Sequence, residues 1–410
     1  MEISTKNLQS WYDTAAKENR LKSNAFTTHD MQEVLVNRDV LAGLTGAVFS
    51  TKIDKEGSPI THQKMSGRCW LFAMTNVLRI GIAKKYNLEE FQLSPSYLFF
   101  WDKLEKANYF LKSIIDTKKE ETDSRLIQHL LDSPIGDGGQ FDMIVNIVEK
   151  YGIVPNSVYP ESFTSSKSQS LNWLVTTKLR EYAQQLREAS SGHDGMRLEM
   201  MAKIFSIMCA TLGKPPGVND SFTWKFEDKD KKFHSIKTTP MQFYKEHTGF
   251  DMEQHVSLLN DPRNSFRRVV TVDYLGNVVG GHGIRYLNLP MSELIKTAIG
   301  MLKDNEPVFF GSDTQQMSRE HGLFTTEMVD FEAGFNVTLK QNKADRLRYH
   351  QSLMTHAMVF TAVDLDEQGN PLYWRIENSW GDTMGKKGYF TASAKWVEEF
   401  VYQVSHAACV

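Results

Sequence analysis

Helix-type spacing fills the first half of this 410-residue chain, and strand-type alternation fills its final third. Apolar residues recur every three to four positions over 97–115, 125–131, 141–151, 171–189 and 196–212, which predicts helices. Stretches 354–363, 372–377 and 388–391 read as strands separated by turn residues, with 307–311 a further buried strand and 292–303 a short helix. Helices first and strands last give an α+β fold rather than a regular βαβ alternation. Between them, 161–170 has the serine-rich composition of a linker, and 223–226 with 232–236 flank a charged turn as a hairpin. Three parts follow: residues 1–160 as an N-terminal arm and helical lobe, 161–265 as an inserted, mainly helical subdomain with a hairpin, and 266–410 as a β-rich lobe.

The most chemically suggestive stretch is 61–74. Ser66 and Gly67 open a helix whose first turn carries Cys69, and Trp70, Ala73, Met74, Val77 and Leu78 mark one buried face. A thiol at that position meets unpaired backbone N–H groups and the positive end of the helix dipole, and both favour thiolate. Gln63, six residues upstream, offers a side-chain amide to an oxyanion. A cysteine hydrolase also needs a base and a group that orients it. His356 sits in the apolar run Leu353-Met-Thr-His-Ala-Met-Val-Phe360, where an imidazole is costly unless paired. Asn378 ends the next strand and Trp380 follows it. If the two strands pair antiparallel, Asn378 meets His356 and Trp380 shields their hydrogen bond. Taken singly, each residue has a plainer reading: a small buried hydrophobe, a satisfied core histidine, a turn asparagine, and turn glycines at Gly138 and Gly139. Their joint occurrence favours chemistry.

Composition narrows the alternatives. A net charge of −3 supplies no strong field toward nucleic acid or anionic lipid. Cys69, Cys209 and Cys409 are odd in number and far apart, which argues against a disulfide framework or a structural zinc site and suits the cytosol. There is no His-Glu-x-x-His, and no run approaches 18 apolar residues. Gly276 to Gly283 is a loose glycine cluster lacking a phosphate-loop lysine. Lys225, Lys229, Lys231, Lys232 and Lys237 are interleaved with Glu227, Asp228 and Asp230, a solvated hairpin rather than a nucleic-acid surface. Neither metal nor cofactor is called for, and no membrane partner.

Gln63…Ser66-Gly-Arg-Cys69-Trp70, His356-Ala357 and Asn378-Ser-Trp-Gly381 resemble the papain superfamily of cysteine peptidases. The 287 residues between Cys69 and His356 are about twice the papain-like spacing. That departure, with Thr27–Asp30, Ser94–Asp102, Asp137–Gln140, 145–151 and 352–356, resembles the bleomycin hydrolase / aminopeptidase C branch. The resemblance implies a two-lobed papain-like core with a helical insertion. It also implies a cytosolic aminopeptidase acting on peptides or amides with a free N-terminus, on bleomycin and on thiolactones, and assembled as a homohexamer around an inner channel. Cys69 is then the nucleophile, His356 the base, Asn378 its orienter, and Gln63 with the Cys69 N–H the oxyanion hole. Gly138 and Gly139 would pair with the substrate backbone.

Family members end in an arm whose carboxylate holds the substrate's α-amino group, whereas this sequence stops at Ser405-His-Ala-Ala-Cys409-Val410. The expectation is an open cleft, with endopeptidase activity or a catalytically impaired, nucleic-acid-binding scaffold as the alternatives.

Overall fold

The computed structural model describes residues 2–15, 20–316 and 322–407. A sheet of ten strands dominates the second half of the chain. Its path runs Arg268–Val270, Tyr286–Asn288, His255–Leu259, Val401–Ala407, Val308–Ser312, His356–Leu365, Pro371–Glu377, Tyr389–Ser393 and Leu323–Phe324, with Thr51–Lys52 pairing onto His356–Leu365. The strand His356–Leu365 is buried along most of its length because it lies between two antiparallel neighbours and is covered by helices. Phe310, Phe360, Trp374, Trp396 and Phe390 fill one core on this sheet.

The helical patterns appear where the periodicity puts them, as Pro95–Asp116, Arg125–Asp132, Phe141–Tyr151, Gln169–Glu188 and His193–Leu212. Ser94 caps the first by accepting from the Tyr97 N–H, with Pro95 at its opening position. The helix Cys69–Lys85 differs from expectation. Its spacing marks one apolar face, yet 14 of its 17 residues are buried. It passes between the strand His356–Leu365 and the helices, so every side of it is covered. Even Arg79 is buried, paired with Glu377 and donating to Pro59 O at 2.7 Å.

Three other readings need correction. Residues 161–170 are no linker: Phe163–Ser166 is a short helix closed by a Ser162/Ser165 capping box, and the serines serve caps and side-chain bonds. Residues 43–62, where Gly43, Gly46, Gly57 and Pro59 suggest an extended loop, instead begin inside the helix Arg38–Thr45, capped by Asn37. The strand His255–Leu259, inside the 161–265 stretch, joins the large sheet between Val401–Ala407 and Tyr286–Asn288. Its short, part-exposed sequence hides that pairing. The hairpin forms as Phe222–Glu227 with Phe233–Thr238, and Asp228 holds its turn through His234 at 2.8 Å.

Candidate active site

The strand pair His356–Leu365 and Pro371–Glu377 runs antiparallel, which returns Asn378 to the level of His356. His356 Nε2 lies 2.9 Å from Asn378 Oδ1, and both residues are buried. The amide oxygen also accepts from the Ser379 N–H at 2.7 Å, so the asparagine is held on both sides of its acceptor. Trp380 covers the imidazole, with ring centroids 4.8 Å apart and planes inclined by 32°. Fixing Nε2 against an amide oxygen leaves Nδ1 as the imidazole's second nitrogen for proton exchange.

Cys69 begins its helix, and Arg68 at the N-cap makes no side-chain capping bond. The first-turn N–H groups are therefore available to the sulfur and its surroundings. Burial pushes the Cys69 thiol up, opposed by the backbone N–H groups of Ala357, Trp70 and Cys69 itself, with the Asp137 charge adding to the rise. The expected thiolate preference from the helix terminus alone is thus overridden by desolvation. The Ala357 contact also puts His356's neighbour on the sulfur, tying the β-rich lobe to the helical one.

Gln63 arrives by a different route. The segment around His62 pairs with Trp380, and Gln63 N donates to Ser379 O at 2.9 Å while Gly381 N donates to Thr61 O at 3.0 Å. Its side-chain Nε2 donates to Ser66 O at 2.7 Å, and its Oε1 accepts from Ser379 Oγ at 2.7 Å. One N–H of the amide remains beyond these bonds. Gln63, Cys69, Gly138, Gly139 and His356 line one cleft of about 310 Å³, closed further by Leu275, Met354 and Gln403. The structure thus gathers every residue singled out in the sequence, with Asn378 and Trp380 directly behind the imidazole.

The two glycines differ. A Cβ on Gly138 would meet nothing within 4 Å, whereas one on Gly139 would lie 2.5 Å from the Trp70 ring. Sequence reasoning missed Ser379, the Ala357 N–H and the charges beneath the glycine turn. Lys103 and Lys106, three apart on a largely apolar helix, were the visible signal for those charges. Among the described residues no group of three or more His, Cys, Asp or Glu side chains is arranged to hold a metal ion. The Gly276–Gly283 cluster packs on the helices through Asn277, which donates to Asp102 at 3.0 Å and to Met143 O at 2.9 Å. Cys209 is a half-buried free thiol, and Cys409 lies outside the described residues.

A match to the Peptidase C1-like family runs over residues 2–408. The chain is 44% identical over 405 residues to a bleomycin hydrolase of Mus musculus, covering 94% of this chain and 87% of that one. It is 42% identical over 397 residues to the mitochondrial cysteine proteinase 1 of Saccharomyces cerevisiae strain S288c, covering 94% and 82%. PepW from Lactobacillus rhamnosis HN001 superposes with a TM-score of 0.95 at 39% identity, covering 99% of this chain and 92% of that one. A backbone shared that closely with a relative of such identity settles the α+β, papain-like architecture, and the chain belongs to the Peptidase C1-like family as a cysteine peptidase of the bleomycin hydrolase type.

Proposed function

We propose that this enzyme removes N-terminal residues from peptides through an acyl-enzyme on Cys69, with His356 as base and Asn378 as its orienter. The observation that carries this reading is the 2.9 Å bond between His356 Nε2 and Asn378 Oδ1 beside a buried sulfur. Because the lone thiol is pushed up, the thiolate forms by transfer of its proton to His356, and the imidazolium balances the charge within the site. Cys69 Sγ then bonds to the substrate carbonyl carbon. The oxyanion is met by the remaining Gln63 N–H and the Cys69 N–H. The tetrahedral species collapses, the C–N bond breaks, and His356 hands its proton to the leaving amine. Water attacks the thioester, losing a proton to His356, and the thiol is regenerated. The same acyl-enzyme serves bleomycin's carboxamide, with ammonia leaving, and homocysteine thiolactone, whose C–S bond breaks and whose thiolate takes the proton from His356; a relative's name supports testing the first.

A second reading, internal cleavage, has its own support. No Asp or Glu side chain is among the described residues lining the cleft, so it presents no described carboxylate to a substrate ammonium. One fluorogenic peptide, with free and with acetylated N-terminus, separates the two. At least tenfold higher kcat/KM for the free amine supports aminopeptidase action, and equal rates overturn it.

We further propose a cytosolic homo-oligomer, of the hexameric kind the resemblance implies. Free thiols at Cys69 and Cys209 support a reducing compartment. Exposed Trp11, Phe163 and Trp173 support self-association. Cell fractionation and light scattering test these points, with an organellar protein or a monomer as the contrary results.

A further inference from the structure

The turn that carries the two cleft glycines belongs to neither helix nor strand, yet its backbone carbonyls are held one after another. Lys103 Nζ donates to Ile135 O, Lys106 Nζ to Gly136 O at 3.0 Å, Trp70 Nε1 to Asp137 O at 2.8 Å, and Lys106 Nζ again to Gly138 O at 2.6 Å. Four consecutive acceptors are thus occupied from below by two adjacent helices. Gly139 is the next peptide unit, and its N–H and C=O have no hydrogen-bond partner among the described residues.

The donors are themselves fixed. Lys103 is fully buried and Lys106 nearly so. Lys106 also forms an ion pair with Asp102 at 2.7 Å, a carboxylate that accepts from Asn277 at 3.0 Å. Lys103 pairs with Asp137 at 2.7 Å, and that carboxylate reaches the Gly67 N–H at 2.9 Å, two residues before Cys69. The Lys106 ammonium sits 5.0 Å from the centroid of the Trp70 ring, the same ring that limits the approach of Gly139. Two directed hydrogen bonds and a buried ion pair hold this ammonium in place, so it sets a height for the backbone above it. Burial draws Lys103 down to about 8, with the Asp137 charge opposing, so both members of that pair stay ionised at neutral pH.

We propose that Lys106, supported by Lys103, is a positioning residue for substrate binding: by occupying the carbonyls up to Gly138 it holds Gly139 where its free N–H and C=O pair with a peptide backbone. This rests on the reading of Cys69 as the nucleophile in this cleft. Gly139 is the first unit of the turn whose N–H and C=O are both without a partner among the described residues, so it carries the pairing proposed here.

The experiment compares two probes on full-length enzyme. Iodoacetamide needs only the thiol, whereas a peptidyl epoxide also needs the backbone pairing strand. The variant Asp102→Asn with Lys106→Met removes the ammonium without stranding a buried charge, and Lys106→Gln keeps one donor toward Gly138 O. Folding is verified by thermal melting. The double variant is expected to lose at least tenfold in inactivation rate with the peptidyl epoxide, and to change less than twofold with iodoacetamide. Its peptide KM should rise by more than its kcat falls, and Lys106→Gln should recover part of the loss. Equal losses with both probes, or no loss with either, overturn the proposal. Failure of wild-type Cys69 to react with iodoacetamide would instead overturn the underlying nucleophile reading. Should the double variant not fold, the same comparison on Lys106→Gln decides, with at least a threefold loss confined to the peptidyl probe expected.

Discussion

Ser379 Oγ donates to Gln63 Oε1 at 2.7 Å, so the residue following the histidine's orienter also aims the amide beside the thiol. The hydroxyl spends its hydrogen on the amide oxygen and thereby fixes which end of Gln63 faces the cleft. Two functions that are usually discussed apart, orienting the base and receiving the oxyanion, share two consecutive residues of backbone.

This link predicts a thermodynamic cycle. Gln63→Ala should lower kcat by about 10²–10³, the cost of losing one oxyanion donor. Ser379→Ala should lower it by about fivefold, corresponding to one neutral hydrogen bond of about 1 kcal/mol. In the double variant the serine change should add almost nothing to the glutamine change, because both act through one amide. Steady-state kinetics on all four enzymes checks this.

Because burial raises the Cys69 thiol, its reactivity near pH 6 should depend on the imidazole. Wild-type Cys69 is expected to outpace Cys209 with iodoacetamide at that pH. In His356→Ala the proton acceptor is gone and the thiol titrates above its ordinary value. The alkylation rate at pH 6 should then fall and recover only as the pH is raised into the alkaline range. Peptide mapping by mass spectrometry gives both rates, and an unshifted profile would sink the ion-pair mechanism.

The two glycines of the cleft should respond differently to a methyl group. Gly138→Ala meets open space and should melt within a few degrees of wild type. Gly139→Ala drives a carbon against the Trp70 ring and should lose stability by about 1–3 kcal/mol through overpacking. Thermal melts of the unliganded proteins distinguish them.

Asp137 is held well below the usual carboxylate range. Burial pushes it up, but the Lys103 charge and hydrogen bonds from Lys103, Ser168 and the Gly67 N–H outweigh that penalty. A depressed carboxyl contributes stability that is complete above the unfolded value of about 3.9 and is lost as pH falls toward the folded one. Asp137→Asn should therefore flatten the fall of melting temperature below pH 4. At pH 7 it should cost about 3 kcal/mol, because it leaves Lys103 buried without its counter-ion. A variant whose melting curve parallels wild type in acid would contradict this.

Much of this architecture was legible because the relevant signals were local. Helical spacing located the helix Pro95–Asp116 to within two residues, and the apolar run around His356 marked a strand whose polar residue needed a partner. Asn378 was identifiable as that partner once antiparallel pairing was assumed. What escaped were effects of burial and distance in sequence. The Cys69 helix is covered on all sides, so its one-faced pattern understated how dry the thiol is. Lys103 and Lys106 look like solvent-facing residues of an amphipathic helix until the 135–139 turn is laid over them. Ser162 to Ser170 look like a linker until their hydroxyls are seen capping a helix and reaching Asp137 through Ser168 at 2.5 Å. Strand His255–Leu259 is short and part-exposed, and only its neighbours in the sheet identify it.

Arg79 of the Cys69 helix and Glu377, the residue just before Asn378, form a buried pair that joins the helix carrying the thiol to the strand that ends at the histidine's orienter. During synthesis the thiol is made 287 residues before the imidazole, and the arginine almost 300 before its carboxylate. A chain that has reached Leu353 carries the sulfur without its proton acceptor, and Arg79 without its counter-charge. Base, orienter and counter-charge thus lie within 22 residues of one another, from His356 to Asn378, so the ion pair and the imidazole's partner are supplied by one stretch of chain.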